Sequence, residues 1–378
     1  MPELGAVIFV CRNKHMKEFD EVFVDKTKYG TKLKTSDYKE CGKYPIIDQG
    51  QETIAGYTDA EDGVFKEVPV IIFGDHTRVI KYVDKPFFLG ADGVKVLRSK
   101  YLDANYRYLF YALLNLKIPN TGYNRHFKWL KEAKIQYPTL KQQEKVVGIL
   151  DKIEEVIAAR NKQLNALDEL IQARFVEMFG DPVVNDKGWK IDTVEKLCKE
   201  IYGGGTPSKS HPEYYEDGNI PWVSSKDMKT DVLNDSQIKI NQLGVDNSTA
   251  RMVPVNSVIM VIRSGILKHT LPVAINVVPI TVNQDLKVFI PNERLLTRFL
   301  AVQFKMHEKD ILSGVRAVTA DNIEFNSLKQ RKLIVPPIEL QQEFADFAHQ
   351  VHKSKVEIQQ ALEKTQLLFD SLMQQYFG

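Results

Sequence analysis

The sequence is short of cysteine: three in 378 residues, Cys11, Cys41 and Cys198, with no Cys-x-x-Cys pair. That argues against a disulfide framework or a cysteine-rich zinc site, and it fits a reducing cytoplasm. The sequence also lacks an excess of one charge. Lys and Arg number 51 and Asp and Glu 49, a formal net charge of only +2, so affinity for nucleic acid would have to come from local patches. No apolar run approaches the roughly 18 residues needed to span a bilayer. The short run Ala6–Cys11 has no basic residue before it and no small-residue cleavage site after it, so it does not read as a signal peptide.

Catalytic motifs are missing as well. Gly203-Gly204-Gly205-Thr206-Pro207-Ser208-Lys209-Ser210 looks superficially like a phosphate loop, but it has no Gly-Lys-Ser/Thr core and a proline interrupts it. An adenine methyltransferase would carry an Asn/Asp-Pro-Pro-aromatic motif, whereas the only Pro-Pro here is Pro336-Pro337, flanked by Val335 and Ile338. There is no GxSxG elbow and no histidine pair at metal-ligand spacing. Acidic-x-Lys triplets such as Asp285-Leu286-Lys287 are what this composition gives by chance. The expectation is a chain with no catalytic centre and no metal or cofactor of its own.

What the sequence does contain is a repeat. Ile135-Gln136-Tyr137-Pro138-Thr139-Leu140-Lys141-Gln142-Gln143-Glu144 is echoed by Ile334-Val335-Pro336-Pro337-Ile338-Glu339-Leu340-Gln341-Gln342-Glu343. Aligning Pro138 with Pro337 and the two Gln-Gln-Glu triplets gives an offset of 337 − 138 = 199. Both segments lead into a long helical stretch, one ending at Met178-Phe179-Gly180 and the other at Tyr376-Phe377-Gly378, where the offset is 378 − 180 = 198.

Both stretches carry heptads. Alternating steps of four and three pick out Val146, Leu150, Ile153, Ile157, Arg160, Leu164, Leu167, Ile171, Arg174 and Met178. In the second they pick out Phe344, Ala348, Val351, Lys355, Ile358, Leu362, Thr365, Phe369, Leu372 and Tyr376. A repeat of 3.5 residues sustained this long predicts a coiled-coil seam. The alternative is an amphipathic helix packed on a globular core. Against it stands length, since about 38 residues at about 1.5 Å rise span about 57 Å, more than a small domain is wide. Prolines before each stretch and Gly180-Asp181-Pro182 after the first mark helix boundaries.

The segments before the helices mix short apolar runs (Val68–Phe73, Ser257–Ile262) with turn residues and helical pieces at Asn105–Leu116 and Leu295–Phe304. The expected fold is therefore mixed α/β with a pseudo-two-fold internal repeat. Its parts are a first domain (1–137), a first helix (138–180), a second domain (181–336) and a second helix (337–378), the helices pairing as an antiparallel coiled coil.

Polar loops supply the candidate chemistry. In the second half these are Gly204, Thr206, Ser208 and Lys209; Trp222, Ser224, Ser225 and Lys226; Arg263, Ser264, Lys268 and His269; and Asn283 with Gln284. In the first half they are Gln49; Asp75, His76, Thr77 and Arg78; and Tyr123, Asn124 and Arg125. Arg and Lys suit guanine edges, Asn and Gln suit adenine, and hydroxyls and glycine amides suit phosphates. Taken one at a time these are also ordinary turn residues. Their occurrence as two sets in duplicated positions favours binding.

The order Gly-Gly-Gly-Thr-Pro-Ser-Lys-Ser, Ile-Pro-Trp-Val-Ser-Ser-Lys-Asp-Met, Arg-Ser-Gly-Ile-Leu-Lys-His-Thr-Leu-Pro-Val-Ala-Ile and Asn-Gln-Asp-Leu-Lys resembles the target-recognition domain of Type I restriction–modification specificity subunits. Pro-Pro-Ile-Glu-Leu-Gln-Gln-Glu is similar to the start of that family's repeated helical region. The resemblance runs from about Glu18 to the end. In the first half the glycine-rich opening is missing, with only Tyr29-Gly30-Thr31-Lys32 near the expected place.

The resemblance implies a non-catalytic DNA reader in which each domain takes one half of a split, asymmetric site and the helices set the gap. It further implies double-stranded DNA and two methyltransferase subunits as partners, with a nuclease-translocase subunit; S-adenosylmethionine, ATP and magnesium would sit on those partners. The competing readings are a stand-alone decoy or recombination partner of such a system, a self-contained nuclease or methyltransferase, and a purely structural coiled coil.

Overall fold

The computed structural model describes residues 15–90, 92–314, 316–317 and 321–378; the apolar run Ala6–Cys11 lies outside them. Contacts divide the chain into two units, Met1–Asn161 with Gln360–Gly378, and Lys162–Gln359, so that each long helix contributes to both.

In the first unit a four-stranded antiparallel sheet has the order Phe23–Asp25, Val94–Ser99, Val70–Gly74, Ile80–Val83. The strand Val70–Gly74 is buried at every position. Its unbroken apolar run is explained by two covered faces. Ile71 and Phe73 join Phe19, Tyr108 and Leu109 in one core, while Val70 and Ile72 join Ile47, Phe87 and Leu89 in another. Helix Tyr106–Leu114 lies over the first of these faces. Asn105 caps it, its side chain accepting from the Tyr108 amide at 3.0 Å. A second, three-stranded sheet has the order Gly56–Thr58, Tyr44–Ile47, Phe88–Leu89.

The second unit repeats this topology. Its main sheet runs Cys198–Gly203, Leu286–Pro291, Val258–Val261, Val273–Asn276, and Val232–Leu233 extends it by a fifth strand. Its small sheet runs Lys239–Ile240, Ile220–Val223, Thr281–Val282. In both units a short antiparallel pair closes the domain, Met16–Glu18 with Lys134–Gln136 and Ile191–Thr193 with Lys332–Ile334.

The long helices are Leu140–Phe179 and Ile338–Phe377, 40 residues each. They pack together as an antiparallel coiled coil. Within the first unit, Val147 and Leu150 near the start of one helix share a core with Met373 near the end of the other. Within the second, the Phe175 and Phe179 rings meet Phe344 nearly edge-on, at 5.4 and 5.8 Å. Every seam position named from the heptads is buried or half-buried. The polar ones are partnered: Arg160 donates to the Ala361 carbonyl and the Thr365 hydroxyl, Lys355 meets Asp168 at 2.6 Å, and Arg174 meets Glu343 at 2.8 Å. Such pairs fix register where an all-apolar seam would allow slippage.

The helices and the strands that lead into them repeat at one offset, 198, and the 199 suggested by the Gln-Gln-Glu triplets is out of register. Gln143, not Gln142, is the equivalent of Gln341: both are buried, and each donates to the carbonyl five residues back, Pro138 and Pro336 respectively, at 2.9 Å. Helix starts, helix ends, the strands Lys134–Gln136 and Lys332–Ile334, and the seams all agree on 198.

Candidate DNA-reading surface

In the first domain the candidate residues converge on one loop cluster. Gln49, just after strand Tyr44–Ile47, ties three loops together. Its Nε2 donates to the Asp92 carbonyl at 2.8 Å, its Oε1 accepts from the His76 amide at 3.2 Å, and its carbonyl accepts from the Thr77 hydroxyl at 2.6 Å. Asp75 is buried and joins the cluster to the loop before the final short helix: its amide donates to Gly93, its carbonyl accepts from the His126 amide, and its carboxylate accepts from the Phe127 amide at 2.8 Å.

The exposed members stand on this frame. Tyr123 is 88% exposed, and its ring stacks on His76 with centroids 4.7 Å apart and planes 8° from parallel. Asn124 folds back on Thr121 at 2.5 Å, and Arg125 is exposed beside it. Arg78 holds a left-handed backbone (φ 63°), and its guanidinium reaches the Ile118 carbonyl at 3.3 Å.

The second domain brings its candidates together from the equivalent strand ends. Asn283 is buried after the strand Thr281–Val282; its Nδ2 donates to Asp285 at 3.0 Å, and its amide donates to the Val223 carbonyl at 2.9 Å. Asp285 in turn grips Arg263, whose Nε and Nη2 lie 2.6 and 2.5 Å from one carboxylate oxygen. Ser264 accepts from the Ile266 amide at 3.5 Å and Lys268 stands 3.8 Å from Asp321; His269 follows. Ser224 is bonded through its amide and hydroxyl to Asp227, both 2.8 Å, leaving Ser225 and Lys226 on the turn.

Gly204 lies against the backbone of Val282, so closely that a Cβ would collide with that carbonyl. Trp222 is buried and donates through Nε1 to the Gly205 carbonyl at 2.9 Å, and Thr206 bonds Gln284. Ser208 pairs with Ser210 at 2.7 Å, with Lys209 exposed between them.

Asp75, Trp222 and Asn283 thus hold loops in place, while Tyr123, Arg125, Lys209, Lys226 and Arg263 project from them. In the first domain Gly30 takes the place of the glycine-rich opening: it packs against Leu89, on the strand matching Thr281–Val282, and Thr31 and Leu33 bracket that strand by backbone bonds.

Sequence reasoning missed the supports of these loops. Lys81 is buried, 3.3 Å from Asp48, and donates to the Glu52 carbonyl at 2.5 Å. Burial pulls its pKa down despite the Asp48 carboxylate. The alternation Ile80-Lys81-Tyr82-Val83 would have put Lys81 on the solvent side. Asp227 carried a usable signal, lying three residues after Ser224 in a turn-like Ser-Ser-Lys-Asp run. Among the described residues no three His, Cys, Asp or Glu side chains converge as a metal site requires, and no helix is long and apolar enough to cross a membrane.

Two copies of one α/β domain, each gathering polar loops at one end of its sheets and both braced on paired long helices, define a two-domain recognition protein. A family profile for the Type I restriction modification DNA specificity domain matches residues 13–169 and again 186–367. The chain belongs to that family of Type I restriction–modification specificity subunits. It is 32% identical over 340 residues to the specificity subunit of a Type I restriction enzyme of Escherichia coli, covering 85% of this chain and 81% of that one. It is 21% identical over 262 residues to a specificity subunit of a Methanocaldococcus jannaschii Type I enzyme, covering 65% and 60%. The crystal structure of a Type I system S subunit from M. genitalium shares the fold across 98% of both chains, with a TM-score of 0.58 and 16% identity.

Proposed function

We propose that this chain gives a Type I restriction–modification complex its DNA sequence specificity, each domain reading one half of a bipartite, asymmetric double-stranded site. One observation carries the reading. Equivalent strand ends present unlike side chains in the two domains, while the helices repeat at a constant offset. Gln49 follows strand Tyr44–Ile47 where Ser225 follows Ile220–Val223, and His76 follows Val70–Gly74 where Arg263 follows Val258–Val261. Unlike readers on a like frame call for two unrelated half-sites.

The helices act as a spacer, and the pseudo-symmetric chain docks two identical methyltransferase subunits. A nuclease-translocase subunit completes the complex. In this reading S-adenosylmethionine, ATP and magnesium belong to those partners, which work with this chain in the cytoplasm. The residues that face DNA are Gln49, His76–Arg78, Tyr123–Arg125, Thr206, Ser208, Lys209, Ser224–Lys226, Arg263, Ser264, Lys268, His269 and Gln284, with Asp75, Gly204, Trp222 and Asn283 shaping the loops. Borrowed affinity from the partners is consistent with the modest net charge. Methylome sequencing of a host with and without this chain tests it: a two-part modified motif should disappear with the chain, and an unchanged methylome would refute the reading.

A further inference from the structure

A second repeated constellation lies beside the reading loops. In the first domain the ammonium groups of Lys95 and Lys131 lie 4.9 and 5.5 Å from the centroid of one ring, Phe127. In the second domain those of Lys287 and Lys329 lie 4.6 and 5.4 Å from the centroid of Phe325. Phe127 and Phe325, and Lys131 and Lys329, obey the 198-residue offset. Lys95 and Lys287 sit one residue into equivalent strands, opposite Phe73 and Met260 of the neighbouring strand. The surrounding loops share little sequence, yet this trio is kept.

Each aromatic ring is tied to the reading cluster. The Phe127 amide donates to Asp75. Two residues before Phe325, the Ile323 amide donates to the Ile262 carbonyl, next to Arg263.

The charge is only half neutralised. Lys95 pairs with Asp25 at 3.3 Å and Lys329 with Glu195 at 3.2 Å. Among the described residues neither Lys131 nor Lys287 has a carboxylate partner. Lys287 is half-buried, and burial together with the nearby Arg263 and Lys329 lowers its pKa, so its surroundings are short of negative charge. A ring face gives a lysine direction but does not cancel its charge. A fixed cation left open beside a base-reading loop suits one ligand above others, a backbone phosphate of the same duplex.

We propose that the Lys–Phe–Lys trios are paired phosphate-binding sites, Lys131 and Lys287 each contacting the DNA backbone flanking the half-site its own domain reads. The inference rests on the DNA-reading function proposed above. It assigns these lysines to affinity and not to sequence choice.

The test is the salt dependence of duplex binding by the full chain in complex with its modification subunits, with target-bearing and target-free duplexes. Each of Lys131→Gln and Lys287→Gln should reduce the slope of log K against log salt by about 0.9, and the double variant by about 1.8. Both duplexes should weaken alike, and the modified sequence should stay the same. Lys131→Arg and Lys287→Arg should keep the wild-type slope. A wild-type slope in both Gln variants, with or without a lower melting temperature, would overturn the proposal and leave the trios as structural. Lys131 is exposed, so its variant remains informative should Lys287→Gln fold poorly. A wild-type complex that prefers no sequence would instead sink the DNA-reading function itself.

Discussion

Gln143 and Gln341 hold the same structural post 198 residues apart, each buried and each bonded at 2.9 Å to the carbonyl five residues before it. They differ in how fully they are used. Gln341 also donates to the Arg294 carbonyl and accepts from the Leu296 amide, at 2.9 and 3.0 Å, whereas the Oε1 of Gln143 is buried and has no hydrogen-bond partner among the described residues. Removing a buried partner exposes the groups left behind to their full desolvation penalty. Gln341→Ala should therefore destabilise its domain by about 2–4 kcal/mol, and Gln143→Ala by about 1–2 kcal/mol. Urea titrations followed by circular dichroism check the order, and equal losses would contradict it.

His307 makes the second domain sensitive to acid. Its ring is buried, neither nitrogen has a hydrogen-bond partner among the described residues, and burial with the nearby Arg331 pulls its pKa down to about 4. The unfolded chain takes up the proton near pH 6.5, and the folded chain does so only near 4. A depressed histidine pKa therefore leaves stability intact above about pH 6.5 and removes it progressively as pH falls towards 4. His307→Leu should flatten that part of the profile, saving on the order of 3 kcal/mol between pH 7 and 4. Parallel pH profiles for wild type and variant would show no difference if the imidazole were irrelevant.

Half-site reading should be separable by mutation. Arg263 is aimed by Asp285, so Arg263→Gln should relax one base position of a single half-site, with discrimination falling by about 1–3 kcal/mol. Tyr123→Ala, which removes the ring stacked on His76, should affect only the other half. Motif-resolved methylation measures both at once. A loss spread over both halves from either variant would argue against independent reading domains.

The sequence revealed the helices almost whole, because a seam of 3.5-residue period survives wherever burial demands it. It revealed the repeat but slipped it by one residue, since Gln142-Gln143-Glu144 and Gln341-Gln342-Glu343 match as letters while the buried glutamine is second in one and first in the other. The candidate loops at the sheet ends were legible as polar turns. Their supports were not: Lys81 looks like a solvent-facing strand residue, and its pairing with Asp48 crosses 33 positions. Gly30 could be recognised as the first domain's substitute for the glycine-rich opening only once Leu89 was seen packed against it.

In the proposed function the two like helices set the gap between the half-sites that two unlike domains read. Deleting one heptad from each, Ile157–Gln163 and Ile358–Lys364, removes about 10 Å of helix, or about three base pairs of duplex. Methylome sequencing should then find both half-site sequences unchanged and the gap between them shorter by about three base pairs. An unaltered gap in a variant that still methylates DNA would contradict the account.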